Sequence, residues 1–429
     1  MNGLGRIAGT VACLVALVAM HRSAAATGPP GDPLESAAPV VIGHRVVLHS
    51  EVLDEDRVLF IAAPEGSIAP GHSLPVVIVL DGRFNFNHTA ASVDLLTRQG
   101  LMPPSLVVAV ANTVRERDFT AVRSNAPATG GADRFLDFVE LEVVPFLESS
   151  FDAAPHRTVI GHSLGALLAV HAIVERPGLF RAAIAISPAL TNDERVPDGA
   201  TPISARLRAA LGSRSRQPMA LFVTISDGED RQWLEDLAAA VKVLEAGVPE
   251  GFAWRLERMA GEDHSSTVHR STYDGLRWIH RDWNADGLVG TGDLEAVDKR
   301  FDAISSRLGF EVPPPEAVLN AIGYRLLAEG RDKEAVAVFE RAVELYPASA
   351  NAHDSLGEGL ERAGRLPGAL RCYRRAVTLA EAGGDRDPEV YRANLERLEQ
   401  RLFGGARREH PENLMSTGGR LAVDPDGGG

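Results

Sequence analysis

Between residues 43 and 285 short runs, most of them apolar, alternate with longer stretches of helical periodicity, and this alternation limits the fold more than any other feature of the 429-residue chain. The runs lie at 46–49, 58–62, 74–80, 106–110, 158–160, 182–186, 220–225 and 253–258. Strands that are apolar at every position are buried on both faces, as in a parallel sheet covered by helices. Helical spacing at 134–147, 164–174, 233–244 and 267–280 supplies the covering elements. The pattern predicts an α/β domain with a mostly parallel central sheet over residues 41–285.

Residues 1–26 carry Arg6, an apolar run from Ile7 to Met20, and small residues from Ser23 to Ala26. That is the order of charged region, apolar region and cleavage site in a signal peptide, and the run is too short to span a bilayer comfortably. The expected product is exported, periplasmic or secreted, with no stable membrane span once the segment is removed; a retained anchor is the competing reading. Residues 27–40, rich in Gly, Pro and Ala, read as a flexible leader. The formal net charge is -14, and loss of Arg6 and Arg22 with no acid lowers it by two to -16. Without a Lys/Arg run, a nucleic-acid partner is excluded, since phosphate contacts need a basic surface. Cys13 leaves with the signal, so Cys372 has no intramolecular partner and stability must come from the core.

Residues 286–314 read as a helical connector, after which the chain repeats itself. Gly323, Gly330, Ala335, Phe339 and Ala342 recur 34 residues later as Gly357, Gly364, Ala369, Tyr373 and Ala376. That period, at small and aromatic positions where paired helices touch, predicts a small all-α tetratricopeptide-like module over 315–403, closed by a capping helix. Pro347 ends the first repeat. Two repeats are fewer than usually stand alone, so the module is expected to dock on the α/β domain, buttressing it or holding a protein partner. Residues 404–429 read as a disordered tail.

Val159 and Ile160 run directly into Gly161, His162, Ser163, Leu164 and Gly165, and then into a helical pattern. G-x-S-x-G between a strand and a helix holds a serine out of the sheet on a tight turn, where it can act as a nucleophile. His162, at an x position, reads as a packing or structural histidine rather than the base. An acid and a histidine should follow in that order. The strand at 220–225 ends in Asp227, Glu229 and Asp230, and His264 lies just beyond the next strand, ahead of its competitors His269 and His280. His264 is the expected base. Any of the three carboxylates could orient it; Glu229 is favoured, with Asp227 second. The oxyanion donors are expected to be the amides of Leu164 and of Arg83, which follows the Asp81-Gly82 bend. Asp81 reads as a loop-holding residue.

The motifs at 79–84, 117–120, 130–132, 161–165, 186–188 and 262–264, in this order, resemble the putative esterase family of α/β hydrolases, which includes esterase D-like enzymes, siderophore esterases, feruloyl esterases and mycolyltransferases. The resemblance covers roughly residues 41 to 285 and extends to members with tetratricopeptide repeats behind the hydrolase domain. It implies an α/β-hydrolase fold and a serine carboxylic ester hydrolase acting on a small-molecule ester, with no cofactor required. It carries Ser163 and His264 as catalytic, with Glu229 and the Arg83 and Leu164 amides beside them. Arg117 is a candidate substrate contact or a salt-bridge partner of Asp118. The chain lacks the Trp that many relatives have after 187–188, and Asp263 stands where many have Asn. Acyl transfer with the same residues, and a non-catalytic scaffold acting through the repeats, are the alternative functions.

Asp282, Asn284, Asp286, Gly287, Leu288 and Asp293 reproduce the spacing of a calcium loop: ligands at positions 1, 3, 5, 7 and 12 around a Gly at 6. The same residues suit an Asn/Asp/Gly turn that caps a helix at Asp293.

Overall fold

Each apolar run forms a strand of a single sheet: β1 His44–Ser50, β2 Glu55–Ala62, β3 Leu74–Val79, β4 Leu106–Val110, β5 Ala153–His162, β6 Ala182–Ile186, β7 Met219–Ser226 and β8 Phe252–Met259. The computed structural model describes residues 38–64, 73–123, 129–194, 200–213, 218–383 and 388–403. The signal segment 1–26, most of the leader 27–40 and the tail 404–429 lie outside the described residues. The chain divides into two units, Met1–Ile42 and Gly43–Gly429, and all eight strands belong to the second. Among the described residues no helix is long and apolar enough to cross a membrane.

The strand order is β1-β2-β4-β3-β5-β6-β7-β8. β1 and β2, and β2 and β4, pair antiparallel, and every pairing from β4 to β8 is parallel. This is the doubly covered, mostly parallel sheet of an α/β hydrolase. Because side chains alternate across a strand, each inner strand feeds two cores. Val76 and Ile78 of β3 pack on one face with Leu167 and Phe135, whereas Val77 and Val79 pack on the other with Val93, Leu96 and Leu276. The helix Leu164–Glu175 covers the first face; Gly82–Arg98 and Thr267–Ile279 cover the second. The expected helix at 134–147 is interrupted. It runs as Ala132–Phe138, one π-helical turn at Val139–Val143, and Val144–Phe151. Pro145, just beyond the turn, has no N–H to continue the α-helical ladder, which accounts for the break.

A third core lies in the C-terminal helices Leu294–Leu308, Glu316–Ala328, Asp332–Leu345, Ala350–Arg362, Leu366–Gly383 and Pro388–Phe403. Val297, Phe301, Ile304 and Leu308 belong to it, as do Trp283 and Ala285. The segment expected to be a connector is therefore part of the helical core. The 34-residue period has a packing cause: a Cβ at Gly323 would lie 2.3 Å from the Phe339 ring, and one at Gly357 would lie 2.6 Å from the Tyr373 ring. Glycine lets each helix close on the aromatic ring of its partner.

These helices meet the sheet at the beginning of its parallel strands. His156, near the start of β5, lies 3.2 Å through Nδ1 from the Leu308 carbonyl, and Arg307 donates to the Ile279 carbonyl at 2.9 Å. An apolar cleft beside this seam is lined by Leu74, Pro104, Trp283, Phe310 and Tyr346. G-x-S-x-G falls at the opposite ends of the strands.

Candidate active site

The carboxyl ends of β3 to β8 bring together residues far apart in sequence. Three of the five non-glycine residues with positive φ among the described residues sit there: Asp81 (φ 55) after β3, Ser163 (φ 60) after β5 and Ser187 (φ 41) after β6. Such backbone costs about 1 to 3 kcal/mol per residue and persists only where the surroundings impose it. At Ser163 they do. Its N–H donates to the Ile186 carbonyl at 2.9 Å, and its own carbonyl accepts from Ala166, Leu167 and Ala189. A Cβ at Gly161 would lie 2.2 Å from the Gly165 carbonyl oxygen, so only glycine permits so sharp a turn from strand into helix.

His264 stands in the loop between β8 and the Thr267–Ile279 helix. Its Nδ1 is 2.8 Å from Oε1 of Glu229, whose side chain is 4% exposed, and the Ser226 hydroxyl donates to the same oxygen at 2.9 Å. An Nδ1–H directed at a carboxylate leaves Nε2 as the basic nitrogen. The Trp233 ring packs edge-on against His264 at 5.0 Å between centroids. His162 also contributes to the site: its ring lies 4.6 Å from that of His264, and its Nε2 donates to the His264 carbonyl at 2.7 Å. Burial, with His264 nearby as the second cause, pushes His162 down to about 4, so it stays neutral. The residue preceding Ser163 thus touches His264 through both its ring and a hydrogen bond.

The other two carboxylates after β7 have separate tasks. Asp227 accepts from Arg258 Nε at 2.5 Å and from the Gly261 amide at 3.0 Å. The Arg258 bond, then that amide, holds its carboxyl below the usual range. Asp230 caps the Arg231–Glu245 helix by accepting from the Trp233 amide at 2.8 Å. Asp263 similarly accepts from the Ser265 and Ser266 amides.

Leu164 opens one helix and Arg83 lies in the first turn of another, Gly82–Arg98, where amides have no partner within their own helix. β3 and β5 are neighbours, which sets these two helix starts side by side. A Cβ at Gly82 would lie 2.8 Å from the backbone of Ala109 and Val110, so the Asp81 loop follows β4 closely. Asp81, largely buried, accepts from Asn112 and from Arg115 at 2.7 and 2.9 Å. Arg115 also donates to the His162 carbonyl at 3.1 Å.

Of the two readings of Arg117, its surroundings favour the salt bridge over the substrate contact: the guanidinium donates to both Glu55 oxygens, Asp118 and Thr113. Asp118 in turn pairs with the fully buried Arg57 at 2.6 Å. The arginine that reaches the site is Arg115, two residues earlier. The two are alike in the sequence, and only the turn of the short Arg115–Phe119 helix separates their directions.

The calcium-spaced segment folds as two turns and a short helix. Asp286 N–H donates to Asn284 Oδ1, Asp293 caps the Leu294–Leu308 helix through the Ala296 amide, and Leu288 lies in the helix Asp286–Val289. Arg300 binds the carbonyls of Asp282 and Asn284, and Arg307 lies 3.5 Å from the Asp282 carboxylate. Among the described residues, no cluster of three or more His, Cys, Asp or Glu is placed to hold a metal.

A strand-to-helix serine, a carboxylate-held histidine and paired helix starts define the class, an α/β hydrolase. The chain belongs to the family described as "Putative esterase", whose model matches residues 50–277. It is 26% identical over 244 residues, 49% of this chain and 82% of its relative, to the siderophore triacetylfusarinine C esterase of Aspergillus fumigatus. It is 27% identical over 157 residues to the ferri-bacillibactin esterase of Bacillus subtilis, covering 31% of this chain and 53% of that protein. Among solved structures it resembles an IroE-like serine hydrolase from Shewanella oneidensis, with a TM-score of 0.60 and 26% identity over 70% of this chain and 99% of that one.

Proposed function

We propose that this chain is an exported serine hydrolase that cleaves small-molecule carboxylic esters through an acyl-enzyme. The observation that carries this reading is the 2.8 Å contact between His264 Nδ1 and the buried Glu229, in a loop braced by the neighbour of Ser163. Ser163 Oγ attacks the ester carbonyl while His264 Nε2 takes its proton, and Glu229 stabilises the resulting imidazolium. The tetrahedral oxyanion is met by the Arg83 and Leu164 amides. Collapse expels the alkoxide, which takes the proton from His264. Water then attacks the acyl-enzyme with His264 as base, releasing the acid and restoring Ser163. The names of the relatives favour siderophore esters as the substrate class. Export rests on the signal-like residues 1–26. The C-terminal helices, tetratricopeptide-like in their period, buttress the sheet from the end away from Ser163.

The test is a panel of short p-nitrophenyl esters and siderophore esters, run with wild type beside Ser163→Ala. Turnover should fall at least about 10³-fold in the variant, with binding of substrate retained. An active Ser163→Ala would remove the assignment.

A further inference from the structure

We propose that Arg115 is a positioning residue for the oxyanion hole, tying its two halves together and neutralising a carboxylate that lies against it. The inference rests on the hydrolase reading and goes beyond it, since Arg115 belongs to neither the triad nor the donor pair. Its guanidinium binds both oxygens of Asp81, at 2.7 and 2.9 Å, and the carbonyl of His162 at 3.1 Å. Asp81 sits two residues before the Arg83 amide, and His162 sits two residues before the Leu164 amide. One side chain therefore spans the loop carrying the first donor and the elbow carrying the second. A planar fork can hold a carboxylate with two N–H groups and still reach a carbonyl, which an ammonium on a flexible stem cannot do. Its Cζ also lies 5.6 Å from the centre of the Phe119 ring, within reach of a cation–π contact that adds to its hold.

Electrostatics gives Arg115 a second task. Asp81 is 7% exposed, and its Oδ2 lies 3.3 Å from where a Cβ of Gly165 would be, against the first turn of the helix that begins at Leu164. A bare carboxylate there would oppose the negative charge that develops on the substrate oxygen in the transition state. Its cost would be greatest in a site from which water is excluded. Asn112 also donates to Asp81 but brings no charge; the cation paired with it is Arg115. Asp81 is thereby available to hold its loop in the left-handed conformation (φ 55) without weakening the donors beside it.

The experiment compares wild type, Arg115→Gln, Arg115→Lys and the double variant Asp81→Asn/Arg115→Gln, with active sites counted by a fluorophosphonate. Arg115→Gln should lower kcat per titrated site about 10²-fold while KM stays within about 3-fold. Affinity for a boronic acid that becomes tetrahedral on Ser163 should fall by a similar factor. Arg115→Lys should recover only part of the loss. The double variant should turn over faster than Arg115→Gln, because it removes the orphaned charge. A merely structural arginine would lower the titrated fraction and the melting temperature but leave kcat per site intact. That result, or a rise confined to KM, overturns the proposal. Should Arg115→Gln not fold, the same readings on Arg115→Lys decide it. A wild type with no ester turnover removes the hydrolase reading and this inference together; an active wild type silenced by Ser163→Ala but indifferent to Arg115 removes this inference alone.

Discussion

Three carboxylates follow β7 within four residues, and the turn gives each a different fate. Asp227, 40% exposed in its side chain, faces Arg258 on the neighbouring strand, and Asp230 closes a helix. Glu229 between them is turned inward, where a buried carboxylate needs donors and finds them in Ser226 and His264. Glu229→Gln preserves its shape but removes the charge that stabilises an imidazolium, and kcat should drop about 10³- to 10⁴-fold. Asp227→Asn should leave kcat within about 2-fold and act on the His264 loop only through melting temperature. Steady-state kinetics on the two variants decide the matter; a larger kcat loss in Asp227→Asn would reassign the acid. Ser163, His264 and the acidic cluster were legible in the sequence because motif, order and strand flanks are local properties. Among the candidate acids the sequence offers only a preference for Glu229, and the direction of Arg115 leaves no mark along the chain, because which way a side chain points depends on a turn and on neighbours from β3 and β5. His162 reads from the sequence as a packing or structural histidine, and its hydrogen bond to the His264 carbonyl is such a structural role; the partner, more than 100 residues away, leaves no mark in its surroundings along the chain.

At the level of elements, the inner strands β3, β4 and β6 show as unbroken apolar sequence because both of their faces are buried, whereas β1 and β8 at the sheet edges and β2 beside β1 are partly exposed and mix polar with apolar residues. Strand ends were less visible. β5 begins at Ala153, yet its first half includes His156 and Arg157, which resemble loop residues until His156 is covered by the C-terminal helices. The boundary near 286 fails for the same reason, because Trp283 and Phe301 reveal a shared core only once they meet, edge to face, with centroids 5.5 Å apart. The segment from Asp282 to Asp293 shows how one spacing can serve two physical ends. Its Asn284 and Asp293 oxygens already accept backbone amides, Arg300 holds the carbonyls of Asp282 and Asn284, and Arg307 lies 3.5 Å from the Asp282 carboxylate. Calcium should therefore leave stability unchanged: melting curves in millimolar calcium and in excess chelator should superimpose. A rise of more than about 3 °C with calcium would restore the metal-loop reading.

Taken whole, the molecule places its helical module at the strand ends remote from Ser163, and the seam is closed by histidines. His156 and His280 are both fully buried, their rings 6.1 Å apart, with Phe310 6.3 Å from His156. Arg307, Arg181 and Arg157 are the charged groups that act on His156; Arg307 and His156 act on His280. Burial, the largest cause, pushes His156 down to about 4 and His280 well below its ordinary value, and His88 is likewise pushed to about 4. A histidine whose folded pKa lies below its unfolded value near 6.5 stabilises the fold fully above that pH. Its contribution is lost as the unfolded chain takes up protons on the way down to about 4. His156 alone accounts for about 3 kcal/mol across that window. Asp354 works in the opposite direction: burial raises its carboxyl to about 6, so the fold gains from its protonation between that pH and the unfolded value near 3.8, offsetting one histidine. The expected result is a melting temperature that is level from pH 7.5 to 6.5 and then falls steeply toward pH 4.5, before the depressed carboxylates such as Glu55 and Asp227 titrate. Calorimetry of wild type beside His156→Gln should show the variant less stable at pH 7.5 but with a shallower decline, by close to one proton. Equal slopes in the two proteins, or a wild type indifferent to pH down to 4.5, would show that the seam is not what acid opens.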